Sequence, residues 1–350
     1  MSRIKKPIYG ALELKRSYKL VVIFVTVALI VTAGFLIATF FLHPPYLRLN
    51  KLGQFDTGGA AVYVHIEDNI AYVVDNTDIH PGGLIILDVS NPNQPQELGS
   101  YYEDGIPRKV DVSGETAFFA SQNLGLEILN ISDPSNLSRI VVYSGSGDIY
   151  DVQVVGALAY VADWTNGLVI LNISNPSLPL ELSRFPIVGA CIDLCVVENI
   201  AYVIDHRNDN TGIRVIDVTD VLHPIELGSF MPPGVDLWNP VVHGNYMYVG
   251  NHALGGGELK ILDISDPTDI FEVGFYYDGG SIFAAEIHNE VAYVADAQFG
   301  LKILDVRNPL RPILAGHFYD GGSAVDVSVV NNIAFVADRE DGLEIIEIPL

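Results

Sequence analysis

The chain has 350 residues, a formal charge of −24 and 49% hydrophobic residues, ample for one sizeable core. Residues 1–20 carry +5, from six Lys/Arg against Glu13, so residues 21–350 carry −29. A surface that acidic repels phosphate backbones and excludes nucleic acid as a partner. The two cysteines, Cys191 and Cys195, are spaced four apart in a predicted strand, roughly 13 Å at about 3.3 Å per residue, too far for a disulfide.

In chain order, residues 1–19 read as a basic cytoplasmic tail. Leu20–Leu42 is 23 residues without a charge, about 34 Å as a helix at 1.5 Å per residue, which is long enough to span a bilayer. It exceeds the apolar region of a cleavable leader, and Pro44 and Pro45 end it. The basic flank is amino-terminal, so the segment is expected to be a single-pass anchor, with its N-terminus in the cytoplasm and the rest of the chain outside the cell membrane. Residues 43–51 are expected to be a short, stiff tether.

From residue 52 onward one phrase recurs. GLIILDVSNP stands at Gly83–Pro92, GLEILNISDP at Gly125–Pro134, GLVILNISNP at Gly167–Pro176 and GLKILDVRNP at Gly300–Pro309, with looser copies from Gly212, Glu258 and Gly342. Its acidic or amide position is Asp88, Asn130, Asn172, Asp217, Asp263, Asp305 and Glu347, in steps of 42, 42, 45, 46, 42 and 42 residues. Around it lie an A-x-D-V-x-V segment, an AYVAD segment and an LGSY segment. All are short, β-branched or aromatic, and bounded by Gly, Pro, Asn and Asp, which is the chemistry of strands joined by tight turns. Four strands at this period make one propeller blade. Residues 52–350 are therefore expected to form an all-β, seven-bladed β-propeller with four antiparallel strands per blade. The last blade lacks a fourth strand, and Leu52–Phe55 (LGQF) is expected to supply it and close the ring. One aromatic per blade, from Tyr72 to Phe335, is expected to pack between blades.

These phrases resemble the LVIVD-repeat family of predicted β-propellers, found in bacterial and archaeal surface proteins. The resemblance covers about residues 52–350. It implies the fold and an extracytoplasmic home, and it carries over no catalytic residues. Blade five departs most, with Met247–Asn251 in place of AYVAD.

The repeat places candidate chemistry on one face of the disc. Two rings of Asp gather there, one in the Asp-Gly turns (including Asp278 and Asp320) and one closing each second strand (Asp75, Asp163, Asp205, Asp296, Asp338). They read either as turn devices or as an acidic mouth for a divalent cation, with Asp278 and Asp320 the candidate ligands. The longer steps add loop residues in blades four and five. Both tryptophans of the chain fall near them, so Trp164, His206, Arg207, Trp238 and His252 are the candidate binding cluster for a protein, peptide or glycan. On the inner strand, Asp151 and Asp193 are the candidate carboxylate pair for a hydrolase or lyase acting on a glycan or polymer. No nucleophile elbow, metal-protease helix, phosphate loop or cysteine metal cluster is present. The expectation is a membrane-anchored binding module that needs no cofactor. An enzyme, or a structural envelope or adhesion component, stand as alternatives.

Overall fold

The computed structural model describes residues 47–76, 82–207, 210–252 and 257–349. The predicted tail and anchor, together with the first residues of the tether, lie outside the described residues. No helix among the described residues is long and apolar enough to cross a membrane.

Seven antiparallel sheets follow one another along the chain. Blade one is Ala61–Glu67, Ile70–Asp75, Gly83–Asp88 and Gln96–Tyr102, and the next five repeat its order. Blade seven contains Ala324–Val330, Ile333–Asp338 and Gly342–Glu347, and its fourth strand is Asn50–Phe55 from the opposite end of the chain. Phe55 pairs with Leu343 and Asn50 with Glu347. The predicted closure is therefore present, and it begins earlier than expected. Residues 50 and 51, read as tether, belong to the closing strand, and Leu47–Arg48 pair in parallel with Gly316 and His317 on the outer edge of blade six.

Packing explains both additions. The Gly of the LGSY phrase carries no side chain because the turn after the next blade's third strand presses on it. A Cβ at Gly53, Gly99 or Gly274 would collide with the carbonyl oxygen of Pro92, Pro134 or Pro309. Among the described residues no such turn of blade seven meets Gly316, and Leu47 lies against it instead. The Asp or Asn that opens each turn accepts the backbone N–H two residues on, as Asp88 does from Ser90 at 2.8 Å and Asn172 from Ser174 at 2.9 Å. This fixes the shape that the glycine must accommodate.

The apolar core divides into seven clusters, each shared by two neighbouring blades. The seam that closes the ring joins Phe335, Leu343 and Ile345 of blade seven to Ala61, Val64 and Val73 of blade one. The seven predicted aromatics, Tyr72, Phe118, Tyr160, Tyr202, Tyr248, Tyr293 and Phe335, are all buried in these seams. Cys191 and Cys195 are free thiols, the first buried and the second half-buried.

Because the Gly99 contact is backbone against backbone, it cannot relax by a rotamer change. Gly99→Ala is expected to lower stability by about 1–3 kcal/mol. Urea unfolding of the variant beside the parent checks this, and an unchanged midpoint would refute the packing role.

Candidate functional site

Near the start of its first strand each blade turns one side chain inward. In blade one Ala61 pairs with Asp75 and Tyr63 with Val74, so Val62 is the extra residue of a β-bulge. The same irregularity recurs at Arg108, Tyr150, Ile192 and Val325. Trp238 and Phe283 hold the equivalent places in blades five and six. Bulges re-aim side chains, and these aim at one spot. All seven residues line a single cavity of about 790 Å³, a funnel at the axis on the face that carries the two Asp rings. A second set lies at the rim, one residue after each second strand's closing position. Of these, Asn76, His252 and Arg339 line the funnel.

Contacts run around the rim. Arg108 lies 4.9 Å over the Tyr150 ring, and Tyr150 stacks on Trp164 at 4.9 Å. Trp164 faces His206 at 6.2 Å. On the other side, the Trp238 indole N–H donates to Asp236 at 3.0 Å, and His252 Nδ1 stands 3.6 Å from the same carboxylate. His252 packs at 4.4 Å on Phe283, over which Arg339 lies at 5.1 Å. His252, and then the indole, hold Asp236 below the usual carboxylate range.

The five residues singled out in the sequence thus divide in two. Trp238 and His252 line the funnel, while Trp164, His206 and Arg207 line a neighbouring open cavity of about 650 Å³ with Val188 and Gly189. Tyr150 joins the two, lining the first and stacking on Trp164. Arg207 donates to Asp205 at 2.9 and 2.7 Å. His206 Nδ1 is buried without a hydrogen-bond partner. Asn208, Asp209 and residues 253–256 of the irregular loops lie outside the described residues. Sequence reading missed Arg108, Tyr150, Phe283 and Arg339. Their signal was the freely varying x in the otherwise fixed A-x-D-V phrase, together with the residue that follows AYVAD.

The Asp that closes the second strand in five of the blades does not form an open acidic mouth. These carboxylates are buried and accept backbone N–H groups of the preceding turn, from Ala60 to Asp75 (3.2 Å), Ser146 to Asp163 (2.9 Å), Gly189 to Asp205 (3.0 Å), Ser281 to Asp296 (2.6 Å) and Ser323 to Asp338 (2.9 Å). A Cβ at Gly59, Gly189, Gly280 or Gly322 would strike the clamping carboxylate, which explains the Gly before these strands. Both candidate cation ligands face a lysine. Lys302 binds Asp278, and it also lies 3.2 Å from Asp296. Lys51, on the closing strand, lies 2.7 Å from Asp320 and 2.6 Å from Glu344. Asp320, Asp341 and Glu344 do bring carboxylate oxygens within 4.8 Å of one another, but an ammonium already sits at that group.

Blade-to-blade staples line the axis, with Asp193 and Asp326 among the residues of the funnel itself. Asp151 Oδ2 accepts from Leu194 N (3.0 Å), Asp193 Oδ2 from Asn239 N (2.9 Å) and Asp326 Oδ2 from Val64 N (2.9 Å). A second tier repeats the device, with Asp111 accepting from Val154, Gln153 from Val196 and Glu286 from Val329. Lys109 lies 3.3 Å from Asp151 and 2.8 Å from Asp193. Burial pushes the Asp151 carboxyl well above its ordinary range, against the pull of Lys109. Burial also works against the Lys109 charge, but Asp151 and Asp193 outweigh it and hold the ammonium above its ordinary value. Of the two acids only Asp193 lines the funnel.

The LVIVD repeat matches at residues 58–103, 104–144, 146–186, 188–232, 236–278, 287–320 and 321–348. No curated protein matches the chain. Among solved structures, the computationally designed Ika8 protein superposes with a TM-score of 0.61 at 11% identity, covering 85% of this chain and 99% of that one. The Pan2 WD40 domain of Neurospora crassa gives 0.65 at 10% identity, covering 87% and 98%. At these identities the likeness is one of fold.

Two outcomes are expected. Lys109→Met leaves two buried carboxylates without their cation and should cost about 3–5 kcal/mol, most of it regained when Asp151→Asn and Asp193→Asn are added. For Asp326, burial pushes the carboxyl up to about 7. The native state keeps this proton where an unfolded Asp, ionising near pH 4, has lost it. Stability therefore falls as pH rises from about 4 to about 7, by up to about 1.4 kcal/mol per unit. Asp326→Asn should flatten that fall, so its urea midpoint should change less than the parent's between pH 5 and pH 8.

Proposed function

From the premise that this chain belongs to the LVIVD-repeat family along all seven blades, we propose that it is a binding module, anchored in the cell membrane by Leu20–Leu42 and working outside the cytoplasm. Its ligand is an extracytoplasmic protein, peptide or glycan, received at the funnel and the adjoining rim. The observation that carries this reading is the convergence of seven side chains, one from the start of each blade's first strand, on a single cavity of about 790 Å³. A cavity of that size, walled by Tyr150, Trp238 and Phe283 and edged by a few polar groups, has the make-up of a ligand site. The anchor rests on the uncharged 23-residue stretch and its basic amino-terminal flank.

The hydrolase reading gains nothing from the contacts. The Asp151 oxygens accept from Val152 N (2.7 Å), Leu194 N (3.0 Å) and Lys109, which makes this side chain a staple between blades. Asp193 is tied in the same way to Lys109, Leu194 and Asn239.

The test is a screen of the full-length chain, kept in mild detergent, against glycans and the host's exported proteins. For a partner found there, Trp238→Ala should weaken binding about 30-fold, as a buried aromatic anchor does, and Trp164→Ala should weaken it less. Affinity unchanged in both variants would remove the funnel and its rim from the binding surface.

A further inference from the structure

Among the described residues seven Lys and Arg side chains are buried or half-buried. Six of them, Lys51, Lys109, Arg207, Arg214, Lys260 and Lys302, each lie within ion-pair distance of a carboxylate. Arg108 is the exception. Its Nε and Nη2 donate to the neutral Gln122 Oε1, and its guanidinium rests on Tyr150 at the funnel wall. A half-buried cation without a counter-ion is costly, and a chain with 43 Asp and Glu had acids to offer. Arg339 enters the same funnel from blade seven, lying over Phe283, and no carboxylate of the described residues pairs with it. Its positive charge is felt at Arg108, whose pKa is held below the ordinary value first by burial and last by this like charge.

The acids of the funnel are already engaged. Asp193 is held by Lys109, Asp236 by Trp238 and His252, and Asp326 by the Val64 N–H. What remains open is a pair of guanidinium groups between aromatic faces.

We propose that Arg108 and Arg339 form a clamp for a carboxylate, and that the ligand of the funnel is a singly charged organic anion whose flat apolar body lies among Tyr150, Trp238 and Phe283. The planar guanidinium matches a carboxylate in a two-point fork. The surrounding charge of −29 favours one negative charge over two, which sets a carboxylate ahead of a phosphate dianion. This inference rests on the funnel being the binding site, and the carboxylate can come from a free small acid or from the end of a peptide.

The experiment is calorimetric titration of the full-length chain in mild detergent with probe pairs that differ in charge alone. These are 3-phenylpropionate and 3-phenylpropionamide for the small acid, and N-acetyl-phenylalanine and its amide for the peptide end, with inorganic phosphate as the dianion. The acids should bind at least about tenfold tighter than their amides, and the tighter acid names the source. Arg339→Gln and Arg108→Gln should each remove most of that preference, the loss expected for a charge-assisted hydrogen bond. Arg339 is exposed, so its variant keeps the fold. Arg108→Lys keeps the charge but not the fork and should recover only part of the preference. Amides that bind as well as acids, with both lost in Trp238→Ala, would overturn the clamp and leave the funnel a binding site. Phosphate binding tighter than either acid would overturn the carboxylate assignment. No heat from any probe would overturn the clamp, while a partner from the screen that still depends on Trp238 would keep the wider reading.

Discussion

The structure depends on the meeting of its two ends. Each blade buries its faces only against its neighbours, so an open array of seven sheets would expose an apolar face at either end and an unpaired strand edge. Pairing Asn50–Phe55 with Gly342–Glu347 removes that edge, and the cluster around Phe335, Leu343 and Ala61 fills the seventh seam. The ends also supply what the last repeat lacks. Leu47 stands where a seventh turn would press on Gly316, and Lys51 brings a cation to Asp320 and Glu344. The join is therefore apolar packing, backbone pairing and charge at once.

Axial staples add register to this closure. A carboxylate or amide on one blade accepts an N–H from the first strand of the next, with 43 residues between partners at Asp111 and Val154, Asp151 and Leu194, and Glu286 and Val329. In the buried centre each such bond satisfies a donor that has no strand beside it. The acids that resemble a catalytic pair in sequence are part of this set, because the fold needs acceptors at the axis wherever the inner strands leave N–H groups unpaired.

The fold was legible because the repeat preserves what a blade requires: the phrase length, the Asx-Pro turn, the glycine under the turn and the aromatic in the seam. The start of the closing strand was less legible. Leu47–Lys51 has no copy elsewhere in the chain, and only the missing turn of blade seven announces it. The candidate site was half legible. Trp238 and His252 drew attention as irregular residues and do face the funnel, whereas Trp164, His206 and Arg207 occupy the next cavity, joined to the first by Tyr150. Arg108 and Tyr150 passed unseen. A β-bulge cannot be read from alternation, and without it the side chain before the inner Asp position would be assigned to the wrong face.

That bulge separates two kinds of inheritance within one repeat. The residues on either side of it answer to packing and pairing. The position itself, bulged in five blades, takes a different side chain almost every time, Val62, Arg108, Tyr150, Ile192, Trp238, Phe283 and Val325 in turn, and of these Ile192 and Val325 also fill the blade seams. The lining of the mouth is therefore set by a position whose chemistry changes from blade to blade, while the strands around it keep one pattern.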